Sequence, residues 1–499
     1  MASEIKQGTL DLINHLPILQ VITPMLIAPV LVVLNNKTLS WLLSFVGALA
    51  CLLISVLLLQ AVSDGSTLRY YLGGWVPPIG IEYRIDAANA ILLFLISMIS
   101  AIVLIFSYSS LHAEIPEDKH TLFYACFLLC LTGLLGVVAT ADIFNVFVFL
   151  EISSLSTYVL VAQGSYLDRR ALSASFNYLI MGTIGATFFV IGIGYIYMAT
   201  GSLNMMDIAE RVSQLGENRT IQAGFAFIVV GMGLKLAMVP LHVWLPNAYT
   251  YAPTVVTCFL AATATKVALY VLIRFVFSVF NYEDSFVNEL FFLLLMPLAI
   301  IAMIAASVIA IFKQNLKKLL AYSSLAQIGY MLLGLSLMSQ KGLASSLVHM
   351  VNHGFTKAAL FMSLGAFMLN TKNVYIKSLK GLGKSMPFTS AAFVIGGLSL
   401  IGVPGTAGFI SKWLLLEAAI ETGYWLIAIL IVVSSLFAVI YIWKIIEVLY
   451  FSERAGSYRE VSVLTLIPIW ILALFCIFLG INTSLTVDVA NIATEILFN

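Results

Sequence analysis

The chain has 499 residues, of which 61% are hydrophobic and 10% charged, with a mean hydropathy of +1.03. This composition is far more apolar than that of a soluble domain and predicts a protein embedded in a lipid bilayer. The formal net charge of +1 argues against nucleic acid as a partner, because phosphate binding needs a clustered cationic surface.

Apolar runs of roughly 18 to 25 residues recur along the chain, and each can cross a hydrocarbon core of about 30 Å as a helix. Strands of a membrane β-barrel would instead show segments of about 10 residues with alternating polarity. We therefore predict an all-α, polytopic membrane bundle of about fourteen transmembrane helices, in one integral membrane domain over residues 1–499. The predicted spans are 17–34, 41–62, 87–109, 121–139, 141–163, 174–198, 222–245, 253–280, 288–312, 319–338, 342–369, 387–421 (broken), 424–451 and 461–481.

Lysine and arginine are divided unevenly between two sets of predicted loops. One set contains thirteen, and the other, which includes the N-terminus, contains seven. The positive-inside rule places the richer set, with the loop from Lys372 to Lys384, in the cytoplasm. We expect a multi-pass protein of the cell (plasma) membrane with both termini on the outer side.

Five basic residues remain, and they lie within predicted spans. Each lysine near a helix centre costs about 2.5 to 3.5 kcal/mol on insertion scales, so these side chains must face protein or water. Two arrangements lower the cost: pairing with a carboxylate, or a site that favours the neutral amine. The second would let a lysine carry protons. The five are Lys235, Lys266, Lys357, Lys412 and Lys444.

Glu151 is the carboxylate that we expect to pair with this row. It lies in an otherwise apolar helix whose only other charge is Asp142 at its mouth. An ion pair with Lys235 on a neighbouring helix would hold the lysine charged, and separating the two would release the proton. A static structural ion pair is the alternative interpretation.

Histidines add groups that titrate near neutral pH. His349, His353 and Lys357 are spaced at i, i+4 and i+8, which places them on one helix face with about 6 Å of rise between neighbours. This distance suits a water-bridged relay. We therefore expect His349 to take part in proton transfer, with His353 and Lys357 as possible relay groups.

Two of the lysines lie beside predicted helix breaks. Lys235 precedes Pro240 in GMGLKLAMVPLHVWLPNAYTYAP, and His242 lies near the expected kink. Lys412 follows Pro404 in SLSLIGVPGTAGFISKWLLLEAA. Interrupted helices in two halves of a membrane protein indicate a transport site, because unwound backbone survives at membrane depth only beside protein or water. The sequence therefore predicts two broken helices and two half-channels.

Other charged and sulfur-containing residues receive simpler interpretations. Lys313, Lys317 and Lys318 are interpreted as anchors at the membrane surface, and Lys444 as an interfacial pair with Glu447. The five cysteines fall inside predicted spans without metal-ligand spacing. The chain has no nucleotide fingerprint, iron–sulfur cysteine set or haem motif, so we predict no cofactor and no metal site.

Five ordered motifs resemble the proton-translocating antiporter family. This family includes the antiporter-like subunits of respiratory complex I and the two large subunits, of A type and D type, of the Mrp sodium/proton antiporter. The leader GGWVPPIGIEYRIDAANA, the chain length and Lys412 most resemble the D-type Mrp subunits. The five motifs are LEISSLSTY, GLKLAMVPLHVWLPNAYTYAPT, KQNLKKLLAYSSLAQIGY, VNHGFTKAALF and GVPGTAGFISKW.

The resemblance implies two inverted five-helix repeats, about 121–280 and 288–451, and a central polar axis. Matching the motifs assigns that axis to Glu151, Lys235, Lys266, His349 and Lys412, and Lys266 rests mainly on the resemblance. The implied function is a subunit of a multisubunit Na⁺/H⁺ antiporter with other membrane subunits as partners. The alternative is a proton-pumping subunit of complex I or of a membrane-bound hydrogenase.

Overall fold

The computed structural model describes residues 2–280, 283–453 and 458–498, with side chains from Ile13 onward. Arg454, one of the loop charges counted above, lies outside the described residues. The first helices and the small hairpin are α1 (Ala2–Leu34), α2 (Lys37–Ala61), β1 (Leu68–Tyr71), β2 (Glu82–Ile85), α3 (Ala87–Ser110), α4 (His120–Ala139), α5 (Ile143–Ala162), α6 (Arg170–Thr200) and α7 (Met205–Leu215). The middle helices are α8 (Arg219–Leu236), α9 (Trp244–Tyr251), α10 (Thr254–Ala262), α11 (Ala264–Arg274), α12 (Ser285–Leu290), α13 (Met296–Phe312) and α14 (Leu316–Ser336). The last are α15 (Gln340–Thr371), α16 (Leu382–Ser385), α17 (Pro387–Ile401), α18 (Ala407–Glu421), α19 (Trp425–Tyr450), α20 (Val463–Ile481) and α21 (Ser484–Phe498).

The predicted all-α membrane bundle is confirmed. Within the described ranges, 12 helices are long and apolar enough to cross a membrane, or 13 if the pair Ile376–Ser385 and Pro387–Ile401, bent by 118°, forms one span. The predicted span 342–369 corresponds to α15, which has 32 residues but carries many polar side chains. The broken span 387–421 corresponds to α17 and α18, with 15 residues each.

The most deeply buried helices are α3, α4, α10, α14 and α15. Almost every side chain of α15 from Gly342 to Phe367 is buried, including its histidines and its lysine. The other long helices, such as α1 and α19, bury one face and present apolar side chains outward, as expected beside lipid. Polar residues therefore concentrate in the centre of this bundle, the reverse of a soluble protein.

Helix interruptions lie beside three of the buried lysines. α8 ends at Leu236, followed by Ala237 in the left-handed region at φ 60°, and α17 ends at Ile401, followed by Gly402 at φ 91°. These two breaks confirm the predicted pair. A third interruption, at Thr263 (φ −124°, ψ −57°), separates α10 from α11 within the candidate span Thr254–Val279.

Two further elements have no counterpart among the predicted spans. β1 and β2 pair in antiparallel register, with Leu68 opposite Ile85, just before Asp86 caps the N-terminus of α3. The C-terminal helix α21 packs against α3 and α15. Both cover the central helices at the end where α3 begins.

Candidate functional site

Glu151 and Lys235 form the predicted ion pair. Lys235 Nζ lies 3.2 Å from Glu151 Oε1 and donates a hydrogen bond of 2.7 Å to Ser154 Oγ. The lysine side chain is 7% exposed and the glutamate 23%. Lys235 lies in the last turn of α8, where a cation also interacts favourably with the carbonyl end of the helix. The helix end created by the break after Leu236 therefore helps to stabilise the positive charge of Lys235, which Glu151 also balances.

Lys266 binds across the third interruption. Its side chain is fully buried in the first turn of α11, and Nζ donates to the carbonyl oxygen of Ala261 in the last turn of α10. The last carbonyls of a helix have no partner within that helix. The break at Thr263 thus provides an acceptor for a fully buried ammonium group.

His349 is held by hydrogen bonds from two neighbouring helices. Its Nδ1 lies 2.7 Å from Ser411 Oγ in α18, and its Nε2 lies 2.9 Å from Gln327 Oε1 in α14. Since an amide oxygen only accepts, Nε2 carries the proton and Nδ1 accepts from the serine hydroxyl when the ring is neutral. His349 therefore connects α14, α15 and α18 at one point.

His353 stacks against His349, with ring centroids 5.8 Å apart and an angle of 4° between the rings. Both of its ring nitrogens are buried and have no hydrogen-bond partner among the described residues. A Cβ at the next residue, Gly354, would lie 3.1 Å from the carbonyl oxygen of Ala262. The glycine thus brings α15 against the break at Thr263, and His353 comes within electrostatic range of Lys266.

Lys357 completes the face of α15. It is fully buried, and its Nζ donates to the carbonyl oxygen of Leu320 at 2.9 Å and to the hydroxyl oxygen of Ser323. The three residues spaced at i, i+4 and i+8 therefore line one face, as predicted, and that face meets α14. Whether they relay protons stays a prediction.

Lys412 repeats the arrangement of Lys266 at the break between α17 and α18. Its Nζ donates to the carbonyl oxygens of Leu400 and Ile401, both at 3.0 Å, which are the last two of α17. The ammonium also lies 4.7 Å from the centre of the Tyr330 ring, a cation–π contact. Within the described ranges, no carboxylate lies within the 4.0 Å ion-pair distance of Lys266, Lys357 or Lys412. These three differ in this respect from Lys235.

His242 and Lys444 lie apart from these contacts. His242 is half-buried in the turn between α8 and α9, and its Nδ1 has no hydrogen-bond partner among the described residues. Lys444 donates to the carbonyl oxygen of Ile311 at 3.0 Å, at the end of α13. The predicted pair of Lys444 with Glu447 was wrong, because the free carbonyls of a neighbouring helix end attract the ammonium instead.

Two sets of buried charges were not predicted from the sequence. Lys317 is not a surface anchor: it is 3% exposed and donates to the carbonyl oxygen of Ala252 at 2.9 Å. Arg274, counted among the loop charges, forms a buried ion pair of 2.6 Å with Asp86. The burial of Arg274 could have been predicted, because the residue lies inside the predicted span 253–280.

Metal-binding geometry is not seen in the part of the chain that the structure describes. No group of three or more His, Cys, Asp and Glu side chains there could hold a metal ion. All five cysteines are free and buried. The chemistry that this site offers is proton binding and release at lysine, histidine and glutamate.

The sequence has relatives in two kinds of membrane complex. The family model described as "NADH:quinone oxidoreductase/Mrp antiporter, TM" matches residues 140–438. NADH-quinone oxidoreductase subunit N of Desulforudis audaxviator is 38% identical over 485 residues, covering 94% of this chain and 96% of the relative. The putative antiporter subunit mnhD2 of Staphylococcus aureus (strain MRSA252) is 30% identical over 490 residues, covering 97% and 96%.

Solved structures of three complexes contain a chain with this fold. A chain of the archaeal membrane-bound sulfane sulfur reductase superposes with a TM-score of 0.90 at 30% identity, over 98% of both chains. A chain of the Mrp complex from Dietzia sp. DQ12-45-1b gives 0.89 at 23% identity, over 98% of both chains. A chain of respiratory complex I from Thermus thermophilus gives 0.76 at 22% identity, over 95% of this chain and 99% of that one. The last two identities indicate a shared fold alone.

Proposed function

Because this chain belongs to the family of membrane subunits shared by NADH:quinone oxidoreductases and Mrp antiporters, we propose that it is the proton-translocating subunit of a multisubunit monovalent cation/proton antiporter. The observation that carries the proposal is the set of lysines buried at helix interruptions. Such a set is costly in a bilayer and has no evident use in packing. We expect other membrane subunits as partners and H⁺ and Na⁺ as the transported ions, in the cell membrane with both termini outside.

The proposed order of proton transfer follows the contacts. Glu151 holds Lys235 charged, and α8 packs against α11, which carries Lys266. Lys266 lies within electrostatic range of both stacked histidines, and His349 reaches Lys412 through Ser411, its neighbour in α18. A proton arriving at one lysine therefore repels the charge on the next, and such coupled groups release protons in sequence rather than independently. His242 and Lys357 remain proposed relay groups outside this order.

The test is dye-monitored proton flux in everted vesicles that contain the assembled complex. Addition of Na⁺ should collapse a preformed pH gradient, and Glu151→Gln should slow this collapse by at least about tenfold, as loss of a proton-transfer partner does. Glu421→Gln is the matched control, since Glu421 is an exposed carboxylate also paired with a lysine, Lys341. Equal flux in the wild type and in Glu151→Gln would show that Glu151 has no role in transfer.

A redox-driven proton pump is the second candidate. The 38% identity to an NADH-quinone oxidoreductase subunit and the 30% identity to a chain of a sulfane sulfur reductase favour it. The same vesicles separate the two functions. Proton movement that needs Na⁺ but no electron donor supports the antiporter, and movement that needs an electron donor supports the pump.

A further inference from the structure

A cavity of about 360 Å³ opens at the end of the bundle where α15 ends and α14 begins. This is the lysine-rich end that the sequence places in the cytoplasm. The cavity has room for several water molecules. Its lining includes Leu167, Thr250, Met368, Asn373, Val374 and Tyr375.

Two buried ionisable side chains form the floor of this cavity. Glu114 is 9% exposed, and its Oε2 accepts a hydrogen bond of 2.8 Å from the backbone N–H of Thr254, at the start of α10. Lys317 is 3% exposed and holds the carbonyl of Ala252 two residues earlier. The two side chains thus fix the same corner between α9 and α10, and they lie within electrostatic range of each other.

A polar stripe on α14 leads from this floor into the bundle. Leu320, whose carbonyl accepts from Lys357, lies one turn beyond Lys317, a rise of about 4.5 Å. Ser323 lies about 4.5 Å further along, and its hydroxyl, which donates to the same carbonyl oxygen at 2.8 Å, also accepts from Lys357. Gln327, about 15 Å along the helix from Lys317, bonds His349. The cavity floor therefore lies one helical turn from Leu320, the first residue of α14 that contacts a buried lysine of α15.

We propose that this cavity is the vestibule through which protons pass between the lysine-rich side and the buried row, with Glu114 as the proton-exchanging carboxylate at its floor. Lys357, one of the relay groups outside the order proposed above, is the first buried group that an entering proton reaches, followed by His353 and His349. The inference rests on the proposed function and names where its protons enter or leave.

Basic side chains outnumber carboxylates in the lining of the vestibule. Three basic side chains line it, Arg170, Lys317 and Lys372, against two carboxylates, Glu114 and Asp168, and Asp168 is paired with Arg170 at 2.6 Å. The formal net charge is therefore positive, and fixed positive charge opposes the entry of free cations. A metal cation would have to enter whole, whereas a proton can be handed from water to the carboxylate of Glu114.

The experiment plugs the vestibule in the assembled complex. A cysteine replaces Leu167, a 59% exposed rim residue, and everted vesicles are treated with a bulky, membrane-impermeant thiol reagent. The five native cysteines are buried, so background labelling should be low. Lys377→Cys, exposed on the same side but outside the cavity, is the control. Proton flux is measured before labelling, after labelling and after the label has been removed from the cysteine. The extent of labelling is followed by gel shift.

We expect labelled Leu167→Cys to lose most of its flux, at least about tenfold, and to regain it on release, while labelled Lys377→Cys keeps its flux. Glu114→Gln, whose amide oxygen can still accept from Thr254, should slow flux by about tenfold or more without lowering the amount of complex. Asn373→Cys repeats the plug if Leu167→Cys fails to assemble.

If the labelled Leu167→Cys or Asn373→Cys variant keeps its full proton flux while the wild type is active, the cavity is not the proton vestibule. The proposed function is unaffected by that result. A wild type that moves no protons with either Na⁺ or an electron donor overturns the proposed function itself.

Discussion

Substitution of Lys412 by arginine separates proton transfer from a structural role in closing a helix end. Arginine keeps the positive charge and has donors for the carbonyl oxygens of Leu400 and Ile401, which Lys412 binds at 3.0 Å. The helix end and the assembly of the complex should therefore survive. In model compounds a guanidinium holds its proton more tightly than an ammonium by about two pKa units, which is about 2.8 kcal/mol or about a hundredfold.

We therefore expect Lys412→Arg to slow proton flux by about a hundredfold at unchanged levels of complex, whereas Lys412→Met should lower both flux and assembly. Loss of the ammonium leaves two buried carbonyls without a donor, at about 1 to 3 kcal/mol each. The control is Lys444→Arg, because Lys444 also binds the end of a helix, at Ile311, but lies outside the row. If Lys412→Arg transports at the wild-type rate, Lys412 closes α17 and carries no protons.

Two further pairs of substitutions test the site. His353→Leu should slow flux but cost little stability, because neither ring nitrogen has a hydrogen-bond partner among the described residues. His349→Leu leaves Gln327 and Ser411 without their histidine partner and should cost about 1 to 3 kcal/mol for each. Thermal unfolding of the purified complex and vesicle flux measure the two effects. Gly402→Ala should cost about 1 to 2 kcal/mol, because φ is 91° there and the new Cβ would meet Lys412 Cδ at 3.0 Å. Gly194→Ala, a helical site with no atom within 4 Å of the new Cβ, should be neutral or slightly stabilising.

The parts of the site that could be predicted from the sequence are those governed by the free-energy cost of burying a charge. A charge in an apolar helix must be paired or solvated, and this rule is sufficient to predict that Glu151 lies beside Lys235. Proline and glycine likewise marked two of the breaks. The third break carries no such signal, since LAATATKVALY contains neither residue. It arises from tertiary contacts: Lys266 binds across it and Gly354 packs against it.

Burial of Lys317 illustrates the same limit. Lys317 and Lys318 are adjacent, and only the side of α14 on which each lies distinguishes them. Lys317 faces the corner before α10 and becomes buried, while Lys318 is partly exposed and reaches Asn247. Periodicity gives the helix but not the neighbour that covers one face of it.

The lysines of the row differ in what balances their charge, and this difference bears on direction. Helix-end carbonyls offer about half an elementary charge, whereas Glu151 offers a full one to Lys235. A proton is therefore held most firmly where the carboxylate lies and less firmly at Lys266 and Lys412, whose partners are all uncharged: backbone carbonyls and, for Lys412, also the Ser435 hydroxyl and the Tyr330 ring. Movement of Glu151 away from Lys235 would remove that advantage and free a proton to pass along the row. We therefore propose that control of the row falls to Glu151 and Lys235, its one ion pair among the described residues, at the end farthest from Lys412 in the proposed order.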